Sequence, residues 1–190
     1  MKKKLFLSAV LIICAAIAAT GTLAYFTAED TAHNVITSGY IDIELEEWSE
    51  PPSENYDGVP FENISGVMPG AEISKIVTVK NIGDAGAYIR VKVDLDVVLA
   101  ENVSGTPNLN LVYIDYNTKD WTEKDGYWYY NEVLSTDEIT SPLFTTVKFD
   151  ESMGNMYQNS IAYVDVSAQA VQCANNGDTV MDANGWPNAE

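Results

Sequence analysis

Metal-dependent hydrolysis needs ligands in a fixed pattern, and this chain has few of them. A zinc peptidase of the usual kind places two histidines one helical turn apart, with a glutamate base beside them. The chain contains one histidine, His33, and no HExxH sequence. Serine or cysteine nucleophiles lack a well-placed base for the same reason, and no glycine-rich phosphate loop or dinucleotide fingerprint occurs. The sequence therefore predicts no catalytic site, no cofactor and no zinc site.

Carboxylates are the groups that could bind calcium, which prefers oxygen ligands. On one face of a predicted strand lie Asp94 and Asp96, and near Trp121 lie Asp115, Asp120, Glu123 and Asp125. No continuous D-x-D-x-D-G loop joins them. Calcium binding is therefore an alternative, and solvated faces and turns are the simpler interpretation.

An aromatic triplet, Trp128, Tyr129 and Tyr130, is a candidate platform for sugar, because flat rings stack on sugar faces. In strands, such residues more often alternate between the core and cross-strand pairs. Cys173 is the one cysteine outside the N-terminal apolar run, so an intramolecular disulfide is not expected. It is either a small buried hydrophobe or one half of an intermolecular disulfide.

The segments that carry these residues alternate between apolar and polar positions, a pattern with a period of two. In 88–97 the odd positions are aliphatic, and the even positions after Tyr88 are polar or charged, which predicts a half-buried strand. Residues 40–46 and 162–170 repeat this alternation. Further runs rich in β-branched and aromatic residues are 73–80, 111–116, 126–134 and 143–149.

Turn signals separate these runs, among them Pro69-Gly70 and Asp125-Gly126. Long loops are expected at 48–67 and 101–110, and the only helical signal past the N-terminus is a short turn near 176–183. About seven or eight short strands without strand–helix–strand alternation indicate an all-β fold, an antiparallel β-sandwich.

The N-terminus predicts export. Lys2, Lys3 and Lys4 precede an apolar run at 5–19, and Thr22 and Ala24 supply small residues before a cut after Ala24. The run is short for a membrane span, although an uncleaved anchor is the alternative. We therefore expect a signal peptide with a signal helix at 1–24, an N-terminal arm at 25–39 that begins at Tyr25, and a single domain at 40–190.

Charge narrows the partners. Cleavage would remove three of the ten basic residues and none of the 28 acidic ones, so that the formal net charge would change from −18 to −21. Such a field repels nucleic acid and anionic lipid. We therefore expect no nucleic-acid partner and no membrane association after cleavage, with a secreted protein in the extracellular space or at the cell surface.

Elements over most of the chain past the predicted cleavage site also resemble a known family, and two of them are fairly specific. They are the junction Ala24-Tyr25-Phe26-Thr27 followed by Gly39-Tyr40-Ile41-Asp42-Ile43, and Met68-Pro69-Gly70-Ala71 leading into Val77-Thr78-Val79-Lys80-Asn81 and Gly83. Both are similar to the TasA/camelysin family, the exported substrates of SipW-type signal peptidases. The resemblance implies a jelly-roll-like sandwich and, for the best-known members, a role in extracellular biofilm fibres. It also implies a metallo-endopeptidase activity for camelysin members, which the single histidine does not support.

The resulting prediction is a secreted, non-catalytic structural protein that assembles into extracellular fibres or matrix. Its partners would be further copies or related matrix proteins, with a SipW-type signal peptidase during export. The candidate assembly arm begins with Tyr25 and Phe26 and contains Val35 and Ile36, and it could be added to the sheet of another copy. It could equally pair with its own domain. The alternatives are a surface module that binds sugar or calcium, and a camelysin-type metalloprotease.

Overall fold

The computed structural model describes residues 34–37, 41–62, 69–101 and 103–187, and within them the protein is all-β. The strands are β1 (Asn34–Thr37), β2 (Ile43–Glu50), β3 (Val59–Pro60), β4 (Glu72–Ser74), β5 (Ile76–Asn81), β6 (Ala87–Val98), β7 (Val112–Ile114), β8 (Trp121–Lys124), β9 (Tyr127–Tyr130), β10 (Thr146–Phe149) and β11 (Ile161–Gln172). Short 3-10 turns lie at Leu109–Leu111, Asn155–Tyr157 and Val180–Asp182. The predicted signal helix lies outside the described residues.

The strands form three sheets, with the orders β1-β11-β6-β9-β8, β4-β10-β7 and β3-β2-β5. The pairings among these strands are antiparallel apart from that of β1 with β11, which is parallel. The expectation of an all-β protein with antiparallel sheets is therefore confirmed.

The longest pairing joins β6 to β11 along their whole lengths. Ile89, Val91 and Val97 of β6 are buried, and so are Ala168 and Ala170 of β11. Alternation places these side chains on one face, where they pack into the core. Both strands agree with the period-two prediction, because burying one face of each strand fixes that period.

The β8–β9 hairpin turns at Asp125 and Gly126, whose φ angles are +54° and +80°. Two consecutive positive φ values define the tight turn that suits the twist of a hairpin, and Asp-Gly favours it. The Glu123 carboxylate accepts a hydrogen bond from the Gly126 N–H at 3.1 Å. The predicted turn is therefore confirmed, whereas β8 was not predicted.

The predicted strand at 73–80 is interrupted at Lys75, which separates β4 from β5. Lys75 is 3% exposed, its Nζ lies 2.7 Å from a Glu47 carboxylate oxygen, and its N–H donates to the Thr145 carbonyl. The segment 143–149 runs alongside the chain on both sides of this bend. Its strand β10 pairs with β4, and Leu143 pairs with Val77 of β5. The bend thereby joins the two three-stranded sheets.

One hydrophobic core is shared by all three sheets. Ile43 and Leu45 of β2 and Val77 and Val79 of β5 belong to the same buried cluster as the inward residues of β6 and β11. Trp121, Leu143 and Phe144 are also within it, each no more than 1% exposed. Burial of these side chains supplies the main driving force for folding.

The loop predicted at 48–67 is shorter than expected at its start, because β2 continues to Glu50. The short edge strand β3 also lies within the predicted range.

Candidate assembly site

The N-terminal strand β1 lies at the edge of the five-stranded sheet. Its backbone pairs in parallel with β11, with Val35 opposite Ala168 and Ile36 opposite Gln169. Residues 34–37, with the candidate residues Val35 and Ile36, are the part of the candidate arm that the structure describes. The other predicted residues there, Ala24, Tyr25 and Phe26, lie outside the described residues. The pairing places residues 34–37 of the arm on a sheet edge.

The stretch of β11 beside β1 is deeply buried. Ala168 and Ala170 are 0% exposed and Gln169 is 3% exposed. These exposures are those of the chain with β1 in place, and removing β1 would leave the N–H and C=O groups that face it unpaired, at a cost in free energy. Nothing in the backbone pairing itself requires that this strand come from the same chain.

The start of β2 is fixed by the Asn81-x-Gly83 element. The Asn81 side chain is fully buried and donates to the Ala85 and Leu134 carbonyls at 2.8 and 2.9 Å, while its oxygen accepts from the Gly83 N–H at 3.0 Å. The N–H groups of Ile82 and Gly83 donate to the Asp42 carbonyl, each at 3.0 Å. A Cβ at Gly83 would lie 2.7 Å from the Asp42 nitrogen, so only glycine fits there. The element therefore has a structural role and fixes the chain shortly after the arm.

Beyond β1 and β9, the described part of the sheet continues as the two-stranded β6–β11 ribbon. β1 pairs with β11 from Ser167 to Ala170, and β9 pairs with β6 at Arg90 and Val91. On the outer face of the ribbon Asp94 is opposite Asp165, a like-charge pair that is unfavourable. Asp96 accepts a hydrogen bond from the Val97 N–H at 2.8 Å. These charges and this capped N–H make the ribbon edges poorer acceptors of a foreign strand.

The candidate calcium ligands are spread over several turns and faces. Asp94 pairs with Lys92 at 2.8 Å, and Asp115 accepts from the N–H groups of Thr145 and Thr146 at 2.8 and 2.7 Å. Asp120 accepts from the Asn117 amide at 3.0 Å. Within 34–37, 41–62, 69–101 and 103–187 no group of three or more histidine, cysteine or acidic side chains could hold a metal ion. His33 lies outside those ranges.

Hydrogen bonds stabilise the charged form of two carboxylates, the candidate ligand Asp120 and Asp150. Hydrogen bonds from the side chains of Asn117 and Ser141 lower the pKa of Asp120, and those from Ser152 lower the pKa of Asp150. A lowered folded-state pKa stabilises the fold above the ordinary value of 3.8, and this contribution is lost as the pH falls through the folded-state pKa. Both residues are partly exposed to solvent, so solvent screens the effect.

The aromatic triplet is divided between two faces of its strand. The Trp128 ring stacks on Tyr116 with 4.3 Å between ring centroids, and Tyr130 packs against Trp121 at 5.1 Å. Tyr129 points the other way and is 8% exposed beneath Trp186. The three rings contact protein partners on opposite faces, so they do not form one flat platform for sugar.

The residues from 174 to 187, here called the C-terminal segment, cover the outer face of the five-stranded sheet around Arg90. The Arg90 guanidinium lies 4.0 Å from the Tyr127 ring centroid and 4.6 Å from that of Trp186. It donates to the Gln169 side chain at 2.7 Å and to the Pro187 carbonyl at 3.1 Å. These contacts, here called the Arg90 clamp, were not predicted from the sequence, although Arg90 is the only arginine in the chain.

Cys173 is half-buried at the start of this covered face and is packed against its hydrophobic cluster. Gly86 lies close beside it, because a Cβ added at Gly86 would be 3.0 Å from the Cys173 Sγ. Cys173 is therefore packed but not fully buried, which meets the expectation of a small buried hydrophobe only in part, and the intermolecular disulfide stays a prediction.

No helix among the described residues is long and apolar enough to cross a membrane. A scan against protein-family models, a search of curated proteins and a search of solved structures each returned no match.

Proposed function

We propose that this protein is a secreted, non-catalytic subunit that assembles into extracellular fibres or matrix, as a member of the TasA/camelysin family with a jelly-roll-like sandwich. Three observations support the proposal. The N-terminus has the pattern of a signal peptide, the charge is strongly acidic at −18, and the resembling Asn81-x-Gly83 element fixes the chain that follows the arm. A SipW-type signal peptidase would release the subunit.

The observation that carries the proposal is the parallel placement of β1 on β11. An N-terminal strand at an edge can be replaced by the same strand of another copy, because the backbone hydrogen bonds are identical in both cases. Repeating this exchange from copy to copy gives an open filament when it does not close into a ring. Cleavage after Ala24 would free the arm, so that assembly would follow export.

We expect the first residue of the secreted form to be Tyr25. Thr22 and Ala24 provide the small residues that a signal peptidase accepts before the cut. N-terminal sequencing or intact-mass measurement of protein from the culture medium checks this. Full-length protein retained in the membrane fraction would contradict both the processing and the proposed location.

We expect fibres from the form that begins at Tyr25 and none from a form that lacks residues 25–37, because the second form has no strand to donate. Electron microscopy of both forms, across salt concentration and pH, is the measurement. Repulsion between acidic copies opposes assembly, so more fibre is expected at high salt, where charges are screened. Lowering the pH to about 5 should act in the same direction, since it stays above the ordinary pKa of 3.8 of the hydrogen-bonded Asp120 while reducing the total charge.

A pair of proline variants controls for the truncation. Along a strand, consecutive N–H groups point to opposite sides, so only one of Val35 and Ile36 directs its N–H towards β11. Proline is tolerated on an edge strand where the N–H faces away and is harmful where it faces the partner strand. Val35→Pro and Ile36→Pro should therefore differ sharply in fibre yield. Equal, undiminished assembly by both variants and by the form without 25–37 would rule out assembly through the arm.

The camelysin-type alternative has a direct test. Zinc proteolysis needs several ligands, and we predict that the secreted protein does not cleave casein and that His33→Ala changes nothing. Zinc-dependent cleavage that co-purifies with the protein and disappears on mutation of one of its carboxylates would support the protease instead.

A further inference from the structure

A shallow groove of about 290 Å³ lies on the sheet β4-β10-β7, away from the β1–β11 edge. Glu72 of β4, Lys148 of β10 and Tyr113 of β7 are register partners across the three strands. Thr146 and Asp115 lie beside them, and the Asp115 N–H donates to the Thr146 carbonyl at 3.3 Å. The groove is therefore built on paired strands, which position its side chains rigidly.

An aromatic ring is presented to solvent in this groove. Tyr113 is 50% exposed, the largest exposed fraction among the large hydrophobic residues that the structure describes. Its hydroxyl donates to an Asp150 carboxylate oxygen at 3.3 Å, which restricts the orientation of the ring. A held, exposed aromatic face provides apolar contact area at little entropic cost.

Hydrogen-bonding groups of both kinds surround the ring. The Lys148 ammonium lies 2.6 Å from a Glu72 carboxylate oxygen and keeps further N–H groups for a ligand, since an ammonium has three. Glu72 has a second carboxylate oxygen, and Thr146 adds a hydroxyl. Donors, acceptors and a flat ring together match a polyhydroxylated ligand.

The charges of the groove disfavour an anionic ligand. The carboxylates of Glu72, Asp150 and Glu151 all act on Lys148 and raise its pKa, led by the hydrogen bond from Lys148 to Glu72. With Asp115 also at the groove, negative charge exceeds positive charge, which disfavours an anion. Asp115 is itself held by Thr145 and Thr146, and no metal-binding group occurs in the described part of the chain.

We propose that this groove binds a neutral polysaccharide, with Tyr113 stacking on a sugar ring and the Lys148–Glu72 pair bonding to its hydroxyl groups. The site is independent of the arm, because it lies on a different sheet from β1 and β11. An open groove with one stacking ring gives weak binding at each copy, in the range of about 1 mM. Display of many copies along a fibre would raise the overall affinity for the polymer, a consequence that rests on the proposed assembly.

Affinity gel electrophoresis tests the proposal on the protein as isolated from the cells that make it, with hydroxyethylcellulose and galactomannan as neutral probes. We expect at least one neutral polymer to retard the protein. Tyr113→Ala should raise the apparent dissociation constant at least about fivefold, and Tyr113→Phe should retain most of the affinity because it keeps the ring. Lys148→Met tests the hydrogen bonds separately, should Tyr113→Ala fail to fold.

The matched control is Tyr163→Ala, which removes an exposed tyrosine from β11 and should leave retardation unchanged. Polygalacturonate serves as the anionic probe and should not retard the protein. Equal retardation of Tyr113→Ala and the unaltered protein, stronger retardation by polygalacturonate, or no retardation by either neutral polymer would overturn the proposal. If a monomeric sample that forms no fibres is still retarded, the groove proposal is supported and only the assembly proposal is contradicted.

Discussion

Replacing Asn81 with leucine is expected to lower the free energy of unfolding by about 2–4 kcal/mol. The substitution removes the two hydrogen bonds that the amide donates to the Ala85 and Leu134 carbonyls, and the one that its oxygen accepts from Gly83. These groups are buried, so water cannot replace the lost partner. In thermal unfolding of a chain of this size, the midpoint should fall by roughly 5–15 °C.

Two further variants distinguish loss of the Asn81 hydrogen bonds from a nonspecific effect of substitution. Asn81→Asp keeps an acceptor for Gly83 but points a buried carboxylate at two carbonyl oxygens. Burial raises the folded-state pKa of such a group, so the variant's stability should fall further below that of the unaltered protein as the pH rises from about 4 to 7. Asn110→Ala, at an exposed position, should change stability by no more than about 0.5 kcal/mol. A stability of Asn81→Leu within that same margin would contradict the structural role.

Replacing Arg90 with alanine should release the C-terminal segment. The guanidinium bonds to Gln169 and Pro187 and lies between the rings of Tyr127 and Trp186. Its loss leaves the buried Gln169 amide without this partner, at a cost of about 2 kcal/mol. Hydrogen exchange measured by mass spectrometry should rise in the C-terminal segment before the rest of the domain, and tryptophan fluorescence should change because Trp186 loses its neighbour.

Lysine in place of Arg90 should not restore the clamp, because an ammonium lacks the planar fork that makes several bonds while stacking. The matched control is Lys92→Ala, two residues along the same strand and on the same face. The Lys92–Asp94 pair is exposed, and exposed pairs contribute little to stability. Unchanged exchange of the C-terminal segment in Arg90→Ala would show that the hydrophobic contacts of Val180 hold the segment without Arg90.

The sequence predicted those strands and turns whose conformation depends on residues close together in the chain. The alternation in β6 and β11 and the Asp125-Gly126 turn follow from strand geometry and from glycine's access to positive φ. The bend at Lys75 does not, because residues 73–80 have the composition of one continuous strand. The chain bends there because the Lys75 N–H pairs with Thr145 and its ammonium with Glu47, contacts distant in sequence.

The candidate sites divide in the same way. The arm was proposed from the sequence because it follows a predicted cleavage site and carries apolar residues, and its residues 34–37 form β1. The aromatic triplet was recognisable, but which ring is covered depends on the C-terminal segment, far along the chain. Tyr113 gave no signal, since a groove arises only when β4, β7 and β10 lie side by side. Spacing along the chain contains no record of such non-local pairings.

The central claim, exchange of the N-terminal strand between copies, is tested most directly by a mixed-copy cross-link. One form carries Val35→Cys and the other Ala168→Cys, both beginning at Tyr25 and both with Cys173→Ala to remove the remaining thiol. These positions are register partners, and neighbouring strands lie about 4.8 Å apart, within reach of a disulfide. Asp165→Cys replaces Ala168→Cys as the control, since β1 does not pair with that residue.

The mixture is allowed to form fibres, oxidised, and run on a non-reducing gel. The account predicts disulfide-linked dimers from the Val35→Cys and Ala168→Cys mixture only under fibre-forming conditions, and none from the Asp165→Cys control. Fibres that form from the mixture without cross-linked dimers, while a single chain carrying both cysteines closes its own disulfide within the same fibres, would contradict strand exchange.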